Sequence, residues 1–359
     1  MTTPAPQTRL ILPRVPWGWL LVAVVALSFL YGARSILGPF LAGFVIAYLL
    51  DPLTEKLTRR GLPRWLATVT VLGVFLVALS ALLLATAPIV VHQFESLIAN
   101  LPMIADSVQP WLDQLGNRVG RNIQPPTINN DLIEKAIAWL TASLGTIIAS
   151  GFAFFNIVTL VVVAPVVAFY LLRDWAGVTS RLAAWWPRRH DATIRMLLAQ
   201  ADEALGGFVR GQFLVCCCLA VLYMIGWGII GLDYFVVLAL LAGLLGFVPF
   251  VGPLIGVGLS VLVAIGQFGL DLPMIGAVVL VFVVVQGLEG SVLTPNLIGN
   301  RIGLHPVWVL FAVFAGGEMA GLLGIFLAVP VAAVVGVVAR WLLDQYLASG
   351  VYRGDTPAP

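Results

Sequence analysis

The sequence predicts an all-α, polytopic membrane protein of about eight membrane segments, two of them broken or folded back as re-entrant hairpins. Three observations carry this. Of 359 residues, 60% are apolar and 10% charged, whereas a soluble domain is about 45–50% apolar and about 25% charged. The apolar residues fall into long uncharged runs. Leu and Val dominate those runs without period-two alternation, which favours helices over an outer-membrane barrel.

A helix needs roughly 20 apolar residues to cross about 30 Å of hydrocarbon. Uncharged runs of that order lie at Val15–Ala33, Ser35–Leu50, Trp65–Val91, Thr146–Leu172 and Phe213–Leu232. Two more follow at Tyr234–Leu270 and Leu272–Leu288, and a last one, Ile302–Ala339, is interrupted only by Glu318. Arg9 and Arg14 precede the first run as they would in a secretory signal, but its length and the apolar run close behind it favour a retained span.

Lys and Arg in short loops set orientation. Lys56, Arg59, Arg60 and Arg64 follow the second run, and Arg173, Arg181, Arg188, Arg189, Arg195 and Arg210 follow the fourth. These regions are expected in the cytoplasm, with both termini. The stretch from His92 to Gly145 carries Glu95, Asp106, Asp113, Asp131 and Glu134 against Arg118, Arg121 and Lys135, and is expected outside. Within it Leu97, Ile98, Leu101 and Ile104 share one helical face, and Ile133, Ile137 and Leu140 another, with Pro125-Pro126 between. The division that follows is 1–91, the first three membrane helices; 92–145, extracytoplasmic amphipathic helices; 146–172, the fourth membrane helix; 173–212, a cytoplasmic linker; 213–340, a transport unit; and 341–359, a cytoplasmic tail.

Tyr234–Leu270 and Ile302–Ala339 are each too long for one ordinary span, at roughly 55 Å if continuous. Each holds helix-breaking residues: Gly246, Pro249, Gly252 and Pro253 in the first, and Gly316, Gly317 and Gly321 in the second. A pair of interrupted segments in two halves is the sequence pointer to a transporter's binding site, because freed backbone groups there can meet a polar solute. The segments Gly231–Leu238 and Gly303–Leu310, which precede the two breaks, share four of eight positions. A repeat of helix plus broken hairpin, inserted from opposite faces, accounts for both; a plain eight-span path with each long run crossing once fits the charges equally well.

Glu318 is an acid inside an apolar segment, costly by about 2.5–3.5 kcal/mol on insertion scales, and reads as a proton, cation or solute ligand; the competing reading is a solvated hairpin tip. Gln286 and Glu289 are three apart on one helical face, and with Thr294, Asn296 and Arg301 they supply polar groups for a path. The competing reading is a capped helix end at the headgroups. Arg173, Asp174, Arg210 and Gln212 stand at span ends as gating, interface or anchoring residues. Asp51-Pro52 reads as a helix boundary.

Net charge is +2, which gives a nucleic-acid partner no electrostatic support. His92, His190 and His305 are scattered, and the consecutive Cys216, Cys217 and Cys218 point about 100° apart on a helix, so no metal site is expected. The cysteines read as small packing residues. Walker, HExxH and GxSxG motifs are absent, so no cofactor is expected and the chain does not read as an enzyme.

Several stretches carry a resemblance: Ala47–Pro52 with Arg60–Pro63, Phe169–Asp174, Arg210-Gly-Gln212, Phe247–Gly256, Glu289–Pro295, Gly303–Pro306, Ala315-Gly-Gly317 and Ala328-Val-Pro330. In order and spacing the chain resembles the autoinducer-2 exporter family of bacterial membrane permeases, the PerM-like permeases, over nearly its whole length. Glu318 departs from the apolar or small residue expected in relatives. The resemblance implies a secondary transporter of the bacterial inner membrane that forms homo-oligomers, a pentamer among the possibilities, with the lipid bilayer and a small polar solute or cation as partners. Relatives divide between exporters of autoinducer-2 and sodium or lithium/proton antiporters. Three readings follow: export of a small polar solute such as autoinducer-2, cation/proton antiport through Glu318 and Glu289, and a non-transporting membrane scaffold.

Overall fold

A computed structural model describes residues 37–119, 151–185, 191–248, 251–269, 271–299 and 304–353, with single positions 25, 32 and 188. The expected first span, the second outer helix, Pro249, Arg301 and the end of the tail lie outside these residues. The chain is an all-helical, polytopic membrane protein. Among the described residues five helices are long and apolar enough to cross a membrane; the first long run holds two shorter apolar helices, and the second holds one shorter helix followed by the span-length Leu323–Ala348.

Helix α1, Leu37–Arg59, closes with Lys56 and Arg59 in its last turn, where cations complement the exposed carbonyls. The chain turns through Gly61, whose φ of 100° suits glycine, into α2, Arg64–Val119. Helix α3, Gly151–Ala184, lies against α1. Their approach is close: a Cβ on Gly43 would stand 2.6 Å from the Ala164 carbonyl. Ala47, Leu50, Val71, Leu72, Ala168 and Leu172 form the core of this three-helix group, and Arg64 ties α2 to α3 by donating from Nε to the Leu172 carbonyl at 2.8 Å.

Two sequence boundaries dissolve. The third span and the first outer helix are one element, because α2 continues through position 91 for 56 residues, about 84 Å at 1.5 Å per residue. Pro88, just before that boundary, stays helical although proline removes one amide donor. The expected cytoplasmic linker is also largely helix. It consists of the end of α3 and the beginning of α4, Asp191–Ile230.

Helix α4 is the centre of a second core. Val215, Leu219, Tyr223 and Trp227, spaced along one face, are all buried there with Leu238, Ala242, Val263, Val278 and Val285. The first long run folds back on itself as α5, Phe235–Leu245, and α6, Val251–Phe268. A Cβ on Gly252 would meet Gly246 and Leu245, and one on Gly256 would lie 2.8 Å from Ala242. Gln267 clasps the open end, donating to the Gly231 carbonyl and accepting from the Asp233 amide, each at 2.8 Å. These pairs are symmetric about position 249, the signature of an antiparallel helical hairpin.

Helix α7, Leu272–Leu288, starts from an Asp271 cap and passes through a π-helical turn, Glu289–Leu293, into the short α8, Thr294–Leu297. The second long run is α9, Pro306–Ala348, interrupted by non-helical backbone at Ala320 and Gly321. Gly321 has φ 59°, the left-handed region that glycine tolerates. Gly316 abuts Gly324, and a Cβ on Gly336 would lie 2.8 Å from Leu304. Both pairs are symmetric about Ala320, so this run is also a hairpin. A last turn, α10, covers Gly350–Arg353.

Candidate functional site

Where α5 stops at Leu245, its last carbonyls lose the intrahelical amides that would otherwise bind them. Gln212 on α4, only 6% exposed, answers one of them: its Nε2 donates to the Gly246 carbonyl at 2.8 Å. The next residue, Phe247, packs on Phe208 of α4 at 5.8 Å between centroids and on Phe326 of the second hairpin at 5.1 Å. The two broken runs therefore meet. Phe208, Val209, Val248, Val313, Ala328 and Val329 form the core of that meeting point, and Val45 and Tyr48 of α1 pack against it.

A polar string continues from Gln212 along the same face of α4. Cys216 is one turn on, with Sγ 4.0 Å from Gln212 Nε2. Tyr223 is two turns beyond and donates to Gln286 Oε1 at 3.0 Å. Gln286 lies beside Glu289 on their shared helical face. Glu289 opens the π-helical turn, and its Oε2 is sealed from solvent without a hydrogen-bond partner. Thr294, half-buried, begins α8, and Asn296 is exposed. Gln286, Glu289 and Gln212 stand out in the sequence; Tyr223 does not, and Cys216 reads there only as a packing residue. Their signal was positional: both lie on the α4 face that begins with Gln212.

The remaining expected residues are dispersed. Glu318 is exposed, just ahead of the break at Ala320, and does not join the polar string. Gly252 is buried and Pro253 half-buried at the start of α6, while Gly316 and Gly317 pack against the second arm of their hairpin. Between those arms runs an apolar groove of about 800 Å³ with His305 and Arg340 at one end. Arg173 pairs with Asp174 at 3.3 Å, both half-exposed and inside α3, which continues to Ala184 past the expected span end.

Arg210 belongs to a second polar place, a cleft of about 290 Å³ where α1, α2, α3 and α4 converge. Asp51, Glu55, Asp202 and Glu203 line it opposite Arg64 and Arg210. Tyr48 donates to Asp202 Oδ1 at 2.6 Å, and Arg210 donates to the Tyr48 carbonyl at 3.3 Å. These two bonds link α1 directly to α4. Asp51 and Pro52 lie inside α1 and not at its boundary, because the helix continues to Arg59, and Arg64 Nη2 stands 3.6 Å from Asp51. Among the described residues no group of three or more His, Cys, Asp or Glu side chains could hold a metal ion.

Known proteins share this chain's length and organisation. Its sequence is 31% identical over 314 residues to "Putative transport protein YrrI" of Bacillus subtilis, covering 85% of this chain and 86% of that one. It is 25% identical over 326 residues to "Putative permease PerM" of Escherichia coli K12, covering 90% and 92%. A protein of Mycobacterium tuberculosis, "Putative transport protein MT0215", is 29% identical over 326 residues, covering 88% and 87%. A family model described as AI-2E family transporter matches residues 20–343, so this helical membrane protein belongs to the AI-2E transporter family.

Proposed function

We propose that the protein is a secondary transporter of the bacterial inner membrane that exports a small polar solute, autoinducer-2 or a related signal molecule being the cargo that the family description favours. The observation that carries this reading is the convergence of the two broken hairpins at Phe247 and Phe326, beside a Gly246 carbonyl held by a side chain rather than by its own helix. A polar solute can replace such a side-chain partner, which it cannot do along an unbroken helix. Gln286, Glu289 and Thr294, with Tyr223 and Cys216 across from them, extend that point into a path.

The arms support insertion from opposite faces. Helix α5 has 11 residues, about 16 Å and too short to cross about 30 Å of hydrocarbon, so the first hairpin starts and ends on one side. The 26-residue stretch Leu272–Leu297 then crosses, which brings the second hairpin in from the other side. On this reading the polar cleft at Arg210 is the cytoplasmic junction between a scaffold, on which homo-oligomer contacts fall, and the unit that carries the path. Purified protein in liposomes tests the function: autoinducer-2 should move at a rate that depends on protein and on an ion gradient. No protein-dependent flux under any gradient would defeat the proposal, and a stoichiometric protein partner in its place would favour a scaffold.

A further inference from the structure

Glu289 stands apart from every other acid in the described chain. Asp51, Asp174 and Asp191 each face an arginine within 4 Å, as does Glu55, and Glu318 is exposed. Among the described residues no cationic side chain is paired with Glu289. Among the described residues, the titratable groups that interact with it electrostatically are Tyr223 and Cys216 of α4; α7 contributes the neutral Gln286, and α8 the neutral Thr294. One carboxyl oxygen is sealed and unpartnered. A negative charge shared by an oxygen that has neither water nor a donor is disfavoured there. A bound proton removes it.

The backbone adds a second observation. Glu289 opens a π-helical turn in which the Thr294 amide bonds back to the Glu289 carbonyl, five residues away. Such turns insert an extra residue into a helix, and they recur at functional positions where the register can shift. Beyond it the chain packs tightly on α4: a Cβ on Gly211 would stand 2.6 Å from the Leu297 carbonyl. The neighbour of Gly211 is Gln212, which holds the broken end of α5. Glu289 is thus joined to the path at Tyr223 by side chains and at Gly211 by backbone.

We propose that Glu289 binds and releases the proton that couples this transporter's cycle, an assignment that rests on the transport reading above. Infrared difference spectroscopy tests it on the full chain in lipid nanodiscs, without any cargo. A pH step should produce a carboxylic-acid carbonyl band in the wild type and in Glu318→Gln, and that band should be missing from Glu289→Gln. A band retained in Glu289→Gln, or lost in Glu318→Gln, overturns the proposal. If Glu289→Gln does not fold, Glu289→Asp serves instead and should move the band and its titration midpoint; an unmoved band overturns the proposal equally. In liposomes, the acceleration of wild-type autoinducer-2 flux by a pH gradient should be lost in Glu289→Gln. Flux that ignores the pH gradient in the wild type refutes the coupling role. Absent wild-type flux beside a titrating Glu289 band instead strikes the cargo assignment and leaves the proton site standing.

Discussion

Gln212 holds a carbonyl that no helix claims, and its removal has a definite cost. Gln212→Leu keeps the volume roughly and strands the Gly246 carbonyl in a buried place, which should lower stability by about 1–3 kcal/mol. Thermal unfolding in detergent would register this, and an unchanged midpoint would mean that the carbonyl finds another donor. Tyr48→Phe is the complementary case. It deletes the exposed bond to Asp202, so stability should fall by no more than about 1 kcal/mol, while autoinducer-2 flux should change if the α1–α4 junction moves during transport. Unaltered flux would reduce that contact to packing. These two residues also show what a single sequence discloses. Gln212 and Arg210 could be singled out because polar side chains at the head of an apolar run are conspicuous. Tyr48 and Asp202 could not, since their meaning is a contact across 154 positions that no local pattern encodes.

At the scale of elements, the hairpins were legible because length and glycine or proline content conflict with a single span. What composition could not give was which glycines touch. Gly256 and Gly258 lie one residue apart on α6, yet a Cβ at the first would meet Ala242 at 2.8 Å and at the second would meet nothing within 4 Å. Gly256→Ala should therefore destabilise the hairpin by about 1–3 kcal/mol, whereas Gly258→Ala should stabilise it by about 0.5–1 kcal/mol. Parallel thermal melts check both, and the opposite signs are the content of the prediction. The helix ends were less legible. Helices α2 and α4 run past the apolar stretches that announce them, because a helix continues into water as long as its amphipathic face finds a neighbour.

For the whole molecule, the expected division set the first four spans and the outer helices apart from a transport unit at 213–340. The structure describes two cores that α2 joins. Its first half contributes Val71 and Leu72 to the α1–α3 group, and its far half contributes Leu97 to the core around α4. There Gln93 accepts from the Val237 amide at 3.2 Å and Asn100 donates to the Tyr234 hydroxyl at 2.9 Å. The first hairpin is therefore held by α2 at its open end and meets α1 at its tip. In a background with Cys216, Cys217 and Cys218 replaced by serine, cysteines at Val45 and Phe247 would join α1 to that tip. Oxidation should stop autoinducer-2 flux and reduction should restore it. Full-rate flux in the cross-linked protein would show that the tip does not move against α1.

Pro88, the first of three prolines in α2, gives that long helix a mechanical property. Pro88 falls between the residues docked in one core and those docked in the other, where Leu82, Leu83 and Leu84 are exposed. The helix behaves as a jointed lever, with its fulcrum in the α1–α3 group and its working end at Asn100. A change of about 20° at the joint, the scale of a proline kink, would carry Asn100, about 18 Å further along, through about 6 Å. The open end of the first hairpin hangs from that working end, so its swing is geared to a single missing hydrogen bond. Pro88→Ala should restore the bond and stiffen the joint, leaving thermal stability equal or higher while flux slows; flux at the original rate would mean that the hairpin moves without the lever.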